Sequence, residues 1–168
     1  MFSDESAVTT KLLRTHARAP RGERVAEAAP RSWRKVSVVS ALRRGEAFAT
    51  QTLSGSFDNL AFHTWVKCFL APGLKPGDVV VLDNLRPHRQ SCVRRAIREV
   101  GADVRFLPPY SPDLNPIEEM WSKVKGLIRA SRPRTIDAVR EACQTAFSHI
   151  TAQDIDGWLH HAYPSFIL

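Results

Sequence analysis

The first part of the chain contains short apolar runs bounded by glycine, proline and charged residues, a pattern typical of β-strands. Runs at 36–42 and 47–53 flank a four-residue segment that contains Gly45, and this spacing predicts a β-hairpin. The unbroken apolar run at 79–82 predicts a strand that is buried on both faces of a sheet. A further short strand is predicted at 104–107.

Helical spacing of apolar residues predicts a first helix that begins after Asp58 and ends before Pro72. Its apolar face is expected to contain Phe62, Trp65, Val66, Phe69 and Leu70. A second helix is predicted at 91–100. Strand, helix and strand therefore alternate between 79 and 107, as in a parallel βαβ unit, and the predicted fold class is α/β.

The last part of the chain is predicted to be helical. The pair Asn115-Pro116 opens a helix that reaches about Ala130 and includes Trp121 on its apolar face. Apolar residues at 136–150 again recur at helical spacing. A final helix is predicted to start at Thr151, because an aspartate three residues later completes a capping box.

Composition narrows the classes of function. The chain has 24 Lys and Arg against 17 Asp and Glu, and its net charge of +7 suits a polyanion such as nucleic acid. The alternative explanation for this charge is a basic surface that keeps the protein soluble. Residues from about 7 to 35 predict a long basic loop. The three cysteines of the chain form no C-x-x-C pair, which argues against a disulfide framework or a zinc site. No apolar stretch approaches the roughly 20 residues of a membrane span, so a cytoplasmic protein is predicted.

Three carboxylates stand at the ends of predicted elements. Asp4 is expected near the end of an initial strand, Asp83 directly follows the run at 79–82, and Glu118 lies in the first turn of the helix after Asn115. Hard oxygen ligands that converge from separate elements are what two magnesium ions require for phosphodiester cleavage. Each residue also has an ordinary explanation: a polar residue near a terminus, a strand exit, and a capping box with Asn115. Glu119 lies four residues before Lys123, a spacing that suits a surface ion pair, so Glu118 is preferred to Glu119 as the ligand.

Four sequence blocks occur in order through the chain. They are MFSDES at 1–6, RAPRG at 18–22, VVVLDNLRPH at 79–88 and LPPYSPDLNPIEEMWSKVK at 107–125. These blocks resemble the signature of mariner-type DDE transposases, and most of all the bacterial branch called insertion sequence six-thirty. The 34 residues between Asp83 and Glu118 match the interval by which that superfamily is described.

The resemblance implies an RNase H-like fold, with a mixed five-stranded sheet flanked by helices and a first strand truncated at the amino terminus. It implies a catalytic triad of Asp4, Asp83 and Glu118, which would also bind two Mg²⁺ ions, with Mn²⁺ as a substitute. Asn84 and His88, in the D-N-x-x-x-H block, are expected behind the metal ligands or against DNA. A solvent-facing histidine is the alternative for His88.

By the same resemblance, the chain would cleave DNA and transfer strands of an insertion sequence, with transposon ends and target DNA as partners. A homo-oligomer on DNA and association with the nucleoid are also implied. DNA contacts are expected from the basic loop and from a basic stripe that follows Glu118 on its helix. The residues concerned are Arg14, Arg18, Arg21, Arg24, Lys125 and Arg129.

The domain prediction is a single catalytic domain over residues 1–168. No helix-turn-helix pattern precedes Asp4, so that DNA-binding domain is expected to be absent and supplied by an upstream polypeptide or a frameshift fusion. A truncated first strand would leave its neighbours unpaired, which predicts a weakly stable and inactive chain. The alternatives are an inactive remnant that binds DNA non-specifically and another RNase H-like nuclease.

Overall fold

The computed structural model describes residues 1–13, 18–26, 31, 33–109 and 111–164. Five strands form one sheet: β1 (Phe2–Thr9), β2 (Lys35–Arg43), β3 (Glu46–Ser54), β4 (Val79–Leu82) and β5 (Asp103–Phe106). The strand order is β3-β2-β1-β4-β5. The pairs of β2 with β1 and β3 are antiparallel, whereas β4 is parallel to β1 and β5. The sheet is therefore mixed, as predicted.

Strand β1 is longer than the sequence predicted. It has eight residues, all paired with β2, and Phe2 and Ser3 also pair with β4. The expected truncation of this strand is wrong, and so is the position of Asp4 near its end, because Asp4 is the third of the eight residues. Residues 5–9 include only Val8 as a deeply buried apolar residue, so their strand pattern is weak without the β2 partner.

Five helices cover the two faces of the sheet: α1 (Asn59–Trp65), α2 (Ser91–Glu99), α3 (Ile117–Ser131), α4 (Ile136–Ser148) and α5 (Ala152–Ala162). Apolar residues of α1 and α2 pack with Val39 and Ala41 of β2 in one core. Apolar residues of α3, α4 and α5 pack with Val36, Val38 and Leu42 in the other. Because successive side chains of β2 point to opposite faces of the sheet, this strand contributes apolar residues to both cores. None of the helices in the described ranges is long and apolar enough to cross a bilayer.

Two local predictions about helices are wrong. Phe69 was expected on a buried helix face but is 45% exposed. The chain after α1 continues as a π-helical turn over Val66–Leu70, and the wider turn changes the spacing of buried positions, so that Val66 and Leu70 lie in the core while Phe69 faces solvent. Asn115 was expected to cap α3, yet Pro116 occupies that position and no side chain caps the helix. The caps of Asp58 on α1 and of Thr151 on α5 are confirmed.

Candidate active site

The pairing of β1 with β4 brings two of the three predicted carboxylates together. Ser3 pairs with Leu82 in parallel register, so Asp4, the next residue of β1, lies near Asp83, the residue that follows β4, and the charge of Asp83 acts on Asp4. Both stand at the carboxyl end of β4, the edge at which ligand sites form in α/β sheets. The sequence alone placed Asp4 and Asp83 on separate strands but did not give this register.

Asp4 is buried on the side of the sheet that faces α3. Only 6% of the residue is exposed, and its Oδ2 accepts a hydrogen bond of 3.2 Å from Nε1 of Trp121. Burial, together with the negative charges of Glu5, Glu118 and Asp83, raises the pKa of Asp4 to about 7. Trp121 was predicted as a core residue and is buried, but its hydrogen bond to Asp4 was not foreseen.

His88 joins two carboxylates from different elements. Its Nδ1 contacts Oδ1 of Asp83, and its Nε2 lies 2.7 Å from Oε2 of Glu5, with no exposed surface on the imidazole. The ring of Phe62 packs against it, with centroids 4.2 Å apart. Burial lowers the pKa of His88, but the two carboxylates outweigh it and raise the pKa to about 10. The solvent-facing alternative for His88 is therefore wrong.

The contact with His88 also favours the ionised form of Asp83. Burial raises the pKa of Asp83, but the hydrogen bond from His88 and that from the backbone N–H of Leu85, at 3.0 Å, leave it lowered overall. Asp4 and Asp83 are thus neighbours with pKa values displaced in opposite directions. Glu5 points to the α1 side of the sheet because side chains alternate along a strand, so it holds His88 while Asp4 faces Trp121.

Glu118 reaches the site from the first turn of α3. It lines an open cleft of about 410 Å³ together with Asp83, Asn84, Arg89 and Asn115, and a wall of prolines closes one side. Glu119 does not line this cleft, which agrees with the choice of Glu118 over its neighbour.

Two predicted contacts of polar side chains near α3 are wrong. Glu119 was expected to pair with Lys123, but Lys123 contacts Asp154 of α5 at 2.5 Å. Asn115, removed from its expected capping role, is 6% exposed, and its Oδ1 has no hydrogen-bond partner in the described part of the chain. A tertiary contact therefore replaced the local pairing of Lys123, whereas Asn115 lost its capping role to the adjacent Pro116.

The donor set of the site suits a divalent cation. Asp4, Asp83 and Glu118 supply hard oxygen ligands. The pKa of Asp4 is raised by burial first and by the neighbouring negative charges second, and a bound cation would offset both effects. Within the described residues, however, no three such side chains stand close enough to form a ready-made metal cage. Metal binding would have to draw these carboxylates together.

The predicted DNA-contacting residues lie in two places. Arg18, Arg21 and Arg24 are exposed in the loop between β1 and β2, whereas Arg14 lies outside the described residues. Lys125 and Arg129 lie on α3, where both are half-buried. Arg89, which sequence reasoning did not single out, is exposed and belongs to the cleft itself.

Comparison with solved structures identifies the fold. The chain is similar to Mos1 transposase in a paired-end complex with the left transposon end, with a TM-score of 0.74, 14% identity and coverage of 96% of this chain and 51% of that one. For a mariner Mos1 paired end complex with Mg, the TM-score is 0.72 and the identity 14%, with coverage of 96% of this chain and 52% of that one. For the Mos1 catalytic domain with Raltegravir and Mn, the TM-score is 0.64 and the identity 13%, with coverage of 96% of this chain and 76% of that one. At these identities the likeness establishes the RNase H-like fold, and the chain spans about half the length of the Mos1 chains in the paired-end complexes.

Comparison of sequences identifies the family. Among curated proteins, none is significantly similar to this chain. The family model described as DDE superfamily endonuclease matches residues 1–140, from β1 into α4. The matched span contains the adjacent Asp4 and Asp83, the cleft residue Glu118, and the histidine clamp formed by His88 with Glu5. This chain belongs to the DDE superfamily endonucleases.

Proposed function

We propose that this chain is the catalytic domain of a DNA transposase, in which Asp4, Asp83 and Glu118 form the catalytic triad. The observation that carries the proposal is the register of β1 and β4, which sets Asp4 beside Asp83 at the edge of the cleft that Glu118 lines. Family membership supports the endonuclease activity. The reaction begins with water attacking a phosphodiester: a new P–O bond to the water oxygen forms as the bond to the 3′-oxygen breaks, which leaves a 5′-phosphate and a free 3′-hydroxyl. That hydroxyl then attacks a phosphodiester of target DNA, forming a P–O bond that joins the strands as the target's own 3′-oxygen is displaced and leaves as a 3′-hydroxyl.

Magnesium is the proposed cofactor, with manganese as a substitute, because Mos1 structures of the same fold were solved with each. Asp4, Asp83 and Glu118 would hold the two ions. When bound, such ions polarise the phosphate and stabilise the attacking and leaving oxygens. The protein keeps the ligands in place: Trp121 donates to Asp4, and His88 holds Asp83 against Glu5.

DNA is the proposed substrate, and cationic side chains are the proposed contacts with its backbone. Asn84 borders the cleft. The positive charges come from the loop between β1 and β2 and from α3. These residues are Arg14, Arg18, Arg21, Arg24, Lys125 and Arg129. Transposon ends and target DNA are the proposed partners, since a Mos1 relative of this fold was solved with its left transposon end.

The assembly is also a proposal. Residues 1–168 form one catalytic domain, several copies act together on DNA in the nucleoid, and a helix-turn-helix polypeptide recognises the transposon ends. The helix-turn-helix part of this proposal draws support from the fraction of the paired-end Mos1 chains that this chain matches, which is about half.

Carboxylate substitutions test the catalytic assignment. Asp83→Asn and Glu118→Gln should each remove Mg²⁺-dependent nicking of duplex DNA, because a hard ligand is lost. The loss should exceed the roughly 10–100-fold that residues behind metal ligands contribute. DNA binding, measured by fluorescence anisotropy, should stay unchanged, because neither change removes a positive charge.

Glu119→Gln is the matched control, since Glu119 is the next residue of the same helical turn and does not line the cleft. It should nick DNA like the unmodified chain. If Glu119→Gln abolished nicking while Glu118→Gln did not, the triad would be wrong. Efficient cleavage of an RNA–DNA hybrid with no cleavage of duplex DNA would favour the nuclease alternative instead.

A further inference from the structure

Helix α2 presents a row of arginines that the proposed triad does not use. The helix buries Val93, Ala96 and Ile97 against the sheet and turns Arg94, Arg95 and Arg98 to solvent. Arg86 and Arg89 extend the row through the loop that joins β4 to α2. We name these five exposed residues the α2 arginine surface: Arg86, Arg89, Arg94, Arg95 and Arg98.

Most of this charge is uncompensated. Within the described residues, no carboxylate lies within ion-pair distance of Arg86, Arg89 or Arg94. Arg95 approaches Glu99 at 3.8 Å and Arg98 approaches Asp103 at 3.8 Å. The side chains in both pairs are between 45% and 75% exposed, and such pairs contribute little to stability. Five cations facing two weakly held acids leave a strongly positive surface.

The surface is continuous with the proposed active site. Arg89 lines the same cleft as Asp83 and Glu118. Arg94, Arg95 and Arg98 lie further along α2, the helix that leads into edge strand β5. Arg94 and Arg98 lie one turn apart, about 6 Å along the helix axis. One strand of B-DNA carries a phosphate about every 3.4 Å of axis, so the two arginines suit phosphates two nucleotides apart.

We propose that the α2 arginine surface binds the phosphate backbone of the DNA segment that leaves the catalytic cleft on the β5 side. This inference rests on the proposed function. Guanidinium groups bind phosphate oxygens in a bidentate manner, and an extended polyanion matches a row that begins at the cleft better than a compact ligand does. The α2 arginine surface is separate from the β1–β2 loop and from α3, so it defines a second basic path.

The test compares Arg94→Ala/Arg98→Ala with Arg44→Ala/Arg140→Ala in the full 168-residue chain. Each pair removes two positive charges, and alanine keeps α2 helical because its helix propensity is at least that of arginine. Arg44 lies in the β2–β3 turn beside Asp156, and Arg140 lies on α4 on the opposite face of the sheet. Anisotropy titration of a labelled duplex at several salt concentrations gives the slope of log affinity against log salt.

We expect the α2 variant to reduce the salt slope by about 0.9 for each lost phosphate contact, thus by up to about 1.8, with the control unchanged. Equal slopes for the α2 variant and the control overturn the inference, and an acidic protein then becomes the better partner for this surface. If the unmodified chain binds DNA and nicks it with Mg²⁺ while the α2 variant keeps its slope, only the inference fails. If the unmodified chain neither binds nor nicks DNA, the proposed function fails with it.

Discussion

At the scale of single residues, the site depends on groups that hold the proposed triad as much as on the triad itself. His88 spans Asp83 and Glu5 from a fully buried position, and Trp121 donates to Asp4. Each of these contacts satisfies a carboxylate that burial would otherwise destabilise. The carboxylates of Asp4, Glu5 and Asp83 are therefore oriented from both faces of the sheet.

His88→Gln should weaken Mg²⁺-dependent nicking by about 10–100-fold, because residues that orient metal ligands contribute effects of this size. Glutamine has no positive charge, so it cannot satisfy Asp83 and Glu5 together as the imidazolium does. The apparent Mg²⁺ affinity, taken from nicking rates at increasing Mg²⁺, should fall while DNA affinity is retained. His160→Gln, at an exposed position on α5, is the control. Identical Mg²⁺ dependence in both variants would show that His88 does not position the ligands.

At the scale of elements, α5 is fixed at its start by a reciprocal cap. Oγ1 of Thr151 accepts from the backbone N–H of Asp154, and Oδ2 of Asp154 accepts from the backbone N–H of Thr151. Lys123 of α3 also donates to Asp154, so the cap ties α5 to the neighbouring helix. The helix brings Ile155 into the core beneath α3.

Thr151→Ala should lower the free energy of unfolding by about 1 kcal/mol, within the range of about 0.5–2 kcal/mol that caps contribute. Chemical denaturation followed by circular dichroism measures this loss. Thr64→Ala, at an exposed position inside α1, should be neutral or slightly stabilising, because alanine has the higher helix propensity. An equal effect of both changes would mean that the cap does not stabilise α5.

The contribution of Asp154 should depend on pH. Hydrogen bonds from Lys123 and Thr151 lower its pKa to about 2 from the ordinary 3.8. A carboxyl with a lowered folded-state pKa stabilises the fold above its unfolded pKa and loses that contribution as pH falls through the folded pKa. Asp154→Asn should therefore lower the melting temperature at pH 5 but have little effect near pH 2. A constant difference between the two proteins at both pH values would contradict this.

At the scale of the whole molecule, the sheet separates two apolar cores that share its central strands. Strand β1 pairs with β2 along its whole length and with β4 at its start. These backbone hydrogen bonds join the strands whose side chains form the two cores. The predicted weak stability was based on a truncated β1, and that basis is lost. We now expect the 168-residue chain to unfold in one cooperative transition. Two separate calorimetric transitions would show that the cores unfold independently.

The distribution of charge gives a further prediction for the whole molecule. Affinity for duplex DNA should be nearly independent of sequence and should fall with salt at a log–log slope of about 0.9 per phosphate contact. Arg18→Ala/Arg21→Ala/Arg24→Ala should reduce that slope, because all three side chains are exposed in the β1–β2 loop. Titrations with several unrelated duplexes measure both quantities. Strong preference for one duplex, unchanged by salt, would indicate direct reading of bases instead.

The sequence by itself determined the elements whose signals are local. The β2–β3 hairpin, the buried run of β4, α2 and the Thr151–Asp154 cap were all predicted, because turn residues, apolar periodicity and caps act over a few positions. Family resemblance, rather than periodicity, identified Asp4, Asp83 and Glu118, and the family match supports that resemblance.

Only the tertiary structure decided how these residues meet. The full length of β1 depends on its pairing with β2, and the contact of His88 with Glu5 joins residues 83 positions apart. Glu119 lacks its predicted partner because Lys123 pairs with Asp154 on another helix. Such outcomes follow from competition among contacts that are distant in the chain, and local sequence patterns carry no record of that competition.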